Sequence, residues 1–133
     1  MASAKIYSRV STAGLAGDSA FRSHHRDIRF LWRSHVQSCA RRGLSNRLTI
    51  DEYAAIAARR CYYCDAPPST RPVPSGTSEL SLNGVDRVDN AQPYSFTNCV
   101  ASCKLCNAMK SGLSRDAFLT HVARIASFQE VLS

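Results

Sequence analysis

Two Cys-x2-Cys pairs, Cys61-Tyr-Tyr-Cys64 and Cys103-Lys-Leu-Cys106, stand far apart in a chain of 133 residues. Two intervening residues let both thiolates of a pair reach one ion from a tight turn or from a turn entering a helix. Four thiolates match the tetrahedral preference of Zn2+ and close its coordination shell, which makes such a site structural. The segment between the pairs is too long for a simple zinc ribbon, so a β-hairpin and its loop are expected there. The competing readings are a redox dithiol, a disulfide framework or four ordinary buried cysteines. No βαβ pattern accompanies the pairs, and no apolar secretory segment follows Met1. The cysteines therefore read as ligands in an intracellular, reducing compartment. Cys39 and Cys99 are left over and read as small core residues.

A staple suits a chain of this size, whose core alone is marginal. The length fits one domain with an appended arm. The formal charge is +7, and it is unevenly spread. Residues 1–60 carry 11 Lys/Arg against 4 Asp/Glu, whereas residues 61–133 carry 6 of each. Fourteen of the 17 basic residues are arginine, whose planar fork grips phosphate in two places. A basic half of this kind points to nucleic acid, with an anionic membrane surface or a plainly solvated face as the alternatives. No apolar run is long enough to span a membrane.

Residues 1–17 read as a flexible basic arm. They weakly resemble an organelle transit segment, which leaves organelle import as the alternative. Periodicity predicts a helix from Asp18 or Ser19 to about Arg42, with Gly43 suiting its end. Its apolar positions are Phe21, His25, Ile28, Trp32, Val36 and Cys39. On the neighbouring stripe Arg22, Arg26, Arg29 and Arg33 form a ladder that can follow a phosphate backbone. A second helix is predicted over 49–60, opened by a capping box of Thr49 and Glu52. Residues 65–83 read as a loop rich in proline. Short strands are expected over 82–88 and 98–102, with a turn over 90–93. A short helix over 104–111 is expected to end at Gly112. A last helix, capped by Ser114, runs to about Phe128 with Phe118, Val122 and Ile125 facing inward.

The run from Val85 to Lys110 resembles the HNH, or His-Me finger, endonucleases. Their pattern is roughly Asp-His, then an Asn, then four residues, then Cys-x2-Cys-Asn/His-x2-Lys. This chain gives Asp86-Arg87, Asn98, Cys103, Cys106, Asn107 and Lys110. The upstream cysteine pair agrees with zinc-bearing members, and Asp-Arg resembles a variant of the Asp-His motif. The resemblance covers about residues 48–128. It implies an α+β fold: a small zinc-stapled ββα-metal finger flanked by N-terminal helices and a C-terminal helix. The expected divisions are the arm at 1–17, an Arg-rich helical extension at 18–47 and the finger domain at 48–133.

The resemblance also implies roles. Cys61, Cys64, Cys103 and Cys106 would hold structural Zn2+. Asp86 and Asn107 would hold one catalytic divalent ion, Mg2+ or Mn2+. Asn98 would brace the hairpin, and Lys110 would reach the phosphate backbone or lie solvated at the surface. Arg87 stands where the family keeps its general base and cannot replace it, because a guanidinium stays protonated. It can bind phosphate or stabilise the transition state instead. Asp89, which would share a strand face with Arg87, is one substitute base. His121, His24, His25 and His35 are others, and a metal-bound water without a side-chain base is the last. The expected function is a metal-dependent endonuclease, with DNA preferred over RNA as substrate. The alternatives are a catalytically inactive zinc-folded nucleic-acid-binding protein, such as a structural subunit of a ribonucleoprotein, and a zinc-stapled protein-interaction module.

Overall fold

The computed structural model describes residues 19–70 and 80–132, with side chains over 25–69 and 80–132. The order is α1 (Ser19–Arg41), α2 (Ile50–Ala57), β1 (Ser69–Thr70), β2 (Ser81–Leu82), β3 (Gly84–Arg87), β4 (Cys99–Ser102), α3 (Lys104–Lys110) and α4 (Arg115–Leu132). The expected arm, Asp18 as a cap, and the side chains of Phe21, Arg22 and His24 lie outside the described residues.

The α1 helix ends where sequence places it, and Gly43 follows with φ +67. That left-handed backbone is open to glycine at little steric cost. Ile28, Leu31 and Cys39 on α1 share one apolar cluster with Leu48, Tyr53, Ala54, Ile56 and Ala57 of α2 and its approach. Leu80, Leu82, Tyr94, Cys99 and Ala101 complete it among the described residues, so the helical extension and the finger share a core.

The α2 helix opens on the expected capping box: Thr49 Oγ1 accepts from Glu52 N, and Glu52 Oε1 accepts from Thr49 N. It stops at Ala57, three residues before the expected end. The reason is competition for its last carbonyls. Asn83 N donates to Ala57 O at 2.7 Å, and Asn83 Nδ2 donates to Arg59 O at 2.8 Å. This capture turns the chain into the first cysteine pair.

The finger itself is an antiparallel hairpin of β3 and β4 followed by α3, with Asp86 opposite Val100 and Arg87 opposite Cys99. The strand expected over 82–88 is broken at Asn83, whose side chain is spent on the end of α2. Its first part, β2, instead pairs antiparallel with β1, inside the stretch expected to be a loop. The α3 helix ends at Ser111, with φ 48, rather than at Gly112. The α4 helix begins at the expected cap, where Ala117 N donates to Ser114 Oγ at 3.2 Å. It continues past Phe128 to Leu132, and only Phe118 of its inward stripe is buried. Ile125 is 48% exposed, which corrects its assignment to the inner face.

Candidate active site and metal centre

The four cysteine sulfurs converge. Each Sγ of Cys61, Cys64, Cys103 and Cys106 lies within 4.8 Å of the others. Tetrahedral ligands about 2.3 Å from one ion stand about 3.8 Å apart, and Cys64 Sγ and Cys103 Sγ are 3.6 Å apart, so the set fits Zn2+. The second pair sits at a helix start, where Cys106 N donates to Cys103 Sγ at 3.4 Å. Burial pushes the Cys61 thiol up, but backbone N–H donors of Cys103, Cys64 and Tyr63 overcome it and leave the thiol at about 7. Burial raises Cys106 well above the usual thiol range, with Cys64 and Cys103 adding to the effect. Four thiols this close cannot all ionise without a cation between them. Cys39 and Cys99 are buried core residues, and burial raises both thiols, Cys99 to about 11.

The loop of the first cysteine pair touches the hairpin directly. Tyr63 Oη donates to Asp86 Oδ2 at 2.7 Å. Burial raises the Tyr63 phenol far above its ordinary value, and the Asp86 carboxylate raises it further, so it remains a donor. Lys110 approaches the same carboxylate, with Nζ 3.2 Å from Asp86 Oδ1 and 3.2 Å from Oδ2. It also donates to Arg87 O at 3.1 Å and to Asn90 Oδ1 at 3.5 Å. Lys110 is 0% exposed. That corrects its placement at the phosphate backbone or on the surface: α3 carries it inward, where the Asp86 carboxylate and two further oxygens replace water around the ammonium.

Asp86, itself only 8% exposed, lines a cleft of about 710 Å³ between the finger and α1. Arg87, Asn107 and Gly84 line it from the finger, His35 and Ser38 line it from α1, and Arg42 lines it from the turn that follows α1. Gly84 permits the close approach, since a Cβ there would lie 3.2 Å from Ser102 O and 4.0 Å from Asn107 Nδ2. Arg87 is held by the hairpin loop. Its Nη1 donates to Asn90 O at 2.8 Å and to Gln92 O at 3.2 Å, and its Cζ stacks 4.9 Å over the Tyr94 ring. Arg42 Nη2 donates to Tyr94 Oη at 3.3 Å, so the same tyrosine engages two guanidinium groups. Sequence reasoning passed over Arg42 because it ends a helix, off the arginine ladder.

Asn98 and Asp89 act on the loop rather than in the cleft. Asn98 Nδ2 donates to Asp89 O and Pro93 O, each at 3.0 Å, and Asn98 Oδ1 accepts from Asp89 N. Asp89 Oδ1 accepts from Ala91 N at 2.9 Å. The strand ends at Arg87, so the alternation expected to put Asp89 on the face of Arg87 fails. Its exposed carboxylate closes a turn and lines no part of the cleft. Among histidines with described side chains, His35 lines the cleft, while His25 and His121 do not. His35 packs 5.4 Å from the Tyr53 ring and edge-on 4.7 Å from the Tyr94 ring.

The ladder residues Arg26, Arg29 and Arg33 are exposed. At about 100° per residue they lie roughly opposite Leu31, His35 and Ser38 on the helix. They face away from the cleft that the other side of α1 lines.

No protein-family profile matches the chain. An uncharacterised protein of Acanthamoeba polyphaga mimivirus is 32% identical over 87 residues, which are 65% of this chain and 14% of that protein. The chain thus spans about a seventh of this relative. Among solved structures, the rare-cutting HNH restriction endonuclease PacI superposes with a TM-score of 0.52 and 24% identity, over 76% of this chain and 78% of that one. Helices flanking a two-stranded antiparallel hairpin, followed by a short helix, give this chain the α+β fold of an HNH endonuclease.

Proposed function

We propose that this chain is a metal-dependent endonuclease that hydrolyses nucleic-acid phosphodiesters, DNA in preference to RNA. The observation that carries the reading is the meeting of Asp86 and Asn107 in one cationic cleft on an HNH fold. The structural neighbour is described as a restriction endonuclease that perturbs DNA, which supports DNA as the polymer.

The donor set fits a hydrated divalent cation. Asp86 offers a carboxylate and Asn107 an amide oxygen, the hard ligands that Mg2+ or Mn2+ takes. When bound, the ion supplies positive charge that stabilises the developing phosphorane. The chain's own groups do the rest. Lys110 and Tyr63 fix the orientation of Asp86. Arg42 and Arg87 make the cleft attractive to a phosphodiester, and their anchoring on Tyr94 fixes their geometry before the substrate arrives. Because Lys110 already offsets the charge of Asp86, the protein alone is a weak cation site. The substrate phosphate completes it.

A supercoiled plasmid incubated with the protein and Mg2+ or Mn2+ should be nicked or linearised. Asp86→Ala should abolish this while leaving DNA binding in place. An inactive wild type that still binds would point instead to a zinc-folded nucleic-acid-binding protein. Activity surviving Asp86→Ala would reject the assignment of the cleft.

A further inference from the structure

Hydrolysis in this cleft needs a proton acceptor for the attacking water, and identifying one rests on the endonuclease reading. Arg87 is permanently charged. Asp89 is turned into its own loop, and Tyr63 is committed as a donor to Asp86. Among the described side chains the cleft is lined by one imidazole, that of His35, and imidazole is the group whose ordinary proton affinity suits a base near neutral pH. We propose that His35, carried into the site by α1, is the general base, with its Nδ1 taking the proton from the attacking water.

The hydrogen bonds fix which nitrogen does this. Asn46 is locked onto the backbone of Leu48: its Oδ1 accepts from Leu48 N at 3.3 Å and its Nδ2 donates to Leu48 O at 3.3 Å. The atom facing His35 Nε2 at 3.1 Å is therefore the amide oxygen, an acceptor. Nε2 must carry the hydrogen, and Nδ1 keeps the lone pair. A base oriented through its second ring nitrogen is the arrangement that nucleophile activation needs.

The surroundings keep the ring neutral and still. Tyr53 from α2 and Tyr94 from the hairpin loop pack against it. Cys39 Sγ lies 3.7 Å from Nε2, one helical turn along α1. Burial lowers the affinity of the ring for a proton, the Asn46 bond partly restores it, and the Arg42 charge lowers it again. Arg42, Arg87 and Asp86 are the charged groups that line the cleft with it among the described residues.

The step balances without a further reactant. Water oxygen bonds to phosphorus, its proton passes to Nδ1, and an ester P–O bond breaks. The departing oxygen takes a proton from solvent, and the imidazolium then returns its own. The N-terminal helix thereby supplies what the Asp-Arg finger lacks.

The test compares wild type, His35→Ala, His35→Asn, Asp86→Ala and His121→Ala. Cleavage rates across pH, DNA affinity and thermal unfolding are measured on each. His35→Ala should lose on the order of 10²–10⁴ in kcat with DNA affinity retained, and added imidazole should restore part of the rate. His35→Asn should stay folded and inactive, and His121→Ala should cleave as wild type does. In wild type, the acid limb of the rate profile should match the midpoint of the His35 ring followed by NMR, below the ordinary value near 6.5, with the hydrogen on Nε2 in the neutral form. Wild-type rates from folded His35→Asn, or a hydrogen on Nδ1, would overturn the assignment of the base while leaving the nuclease standing. No cleavage by wild type would overturn both.

Discussion

The hydroxyl of Tyr63, which lies between the cysteines of the first pair, donates to Asp86 Oδ2 across 2.7 Å. One hydrogen bond thus joins the cysteine cluster to a carboxylate that lines the cleft. Cys64 and Cys103, one from each cysteine pair, are 39 residues apart in sequence, and their sulfurs stand 3.6 Å apart. Closing that loop fixes where Tyr63 stands, and Tyr63 fixes how Asp86 is turned.

Tyr63→Phe removes this link with little change in shape. A hydrogen bond to a charged group contributes about 1.5–3 kcal/mol. The variant should unfold at a lower temperature than wild type and cleave at least tenfold more slowly, with DNA affinity unchanged. Calorimetry and plasmid nicking measure both. Wild-type cleavage by the variant would break the proposed connection between staple and site.

Zinc removal should act more broadly. Freshly purified protein should hold one transition-metal ion per chain by elemental analysis. A chelator, or Cys106→Ser, should unfold the finger over residues 61–112, because metal binding supplies folding energy. Circular dichroism would show lost helix and a lost cooperative transition. Cooperative unfolding that persists in metal-free protein would contradict the staple.

Lys110→Met tests the buried ion pair. The ammonium is 0% exposed, so its loss strands the Asp86 charge, which costs about 3–5 kcal/mol when one partner of a buried pair is removed. The exposed Arg60–Asp65 pair, at 3.1 Å, should contribute no more than about 1 kcal/mol. A double comparison of Lys110→Met and Arg60→Met by urea unfolding should rank them in that order. Equal effects would place Lys110 at the surface after all.

Much of this was legible in the sequence. The cysteine spacing, the Thr49–Glu52 capping box and the Gly43 stop are local signals, and local physics decides them. Lys110 was not legible, because spacing says that a lysine follows Asn107 by one helical turn but not that α3 turns it toward Asp86. Asp89 failed for a similar reason. Alternation holds only while the strand lasts, and β3 ends two residues too soon. The end of α2 depended on Asn83, a residue far along the chain. The cleft is a tertiary product of α1 lying beside the hairpin, so His35 was one histidine among several until the fold selected it.

The arginine ladder has its own test. Replacing Arg26 and Arg29 with Ala should lower the slope of log K against log salt by up to about two units. Because these residues lie on the side of α1 away from the cleft, kcat at saturating DNA should not change. A fall in kcat with an unchanged salt slope would reverse the assignment and put the ladder in the chemistry.

His35 should also leave a mark on stability. Burial lowers its proton affinity in the folded chain below that of the unfolded chain, whose ordinary value is about 6.5. Above that pH neither state binds the proton, and the histidine's contribution is fully present. As pH falls below it, the unfolded state takes up the proton first, so stability declines until the folded ring titrates too. The difference in unfolding free energy between wild type and His35→Asn should therefore be flat above about pH 6.5 and shrink below it, independently of whether DNA is cleaved. Urea titrations from pH 5 to 8, on the order of one unit either side of the transition, measure it. A difference that grows as the pH falls would mean that the folded chain prefers the imidazolium, and a ring charged in this way could not accept the water's proton.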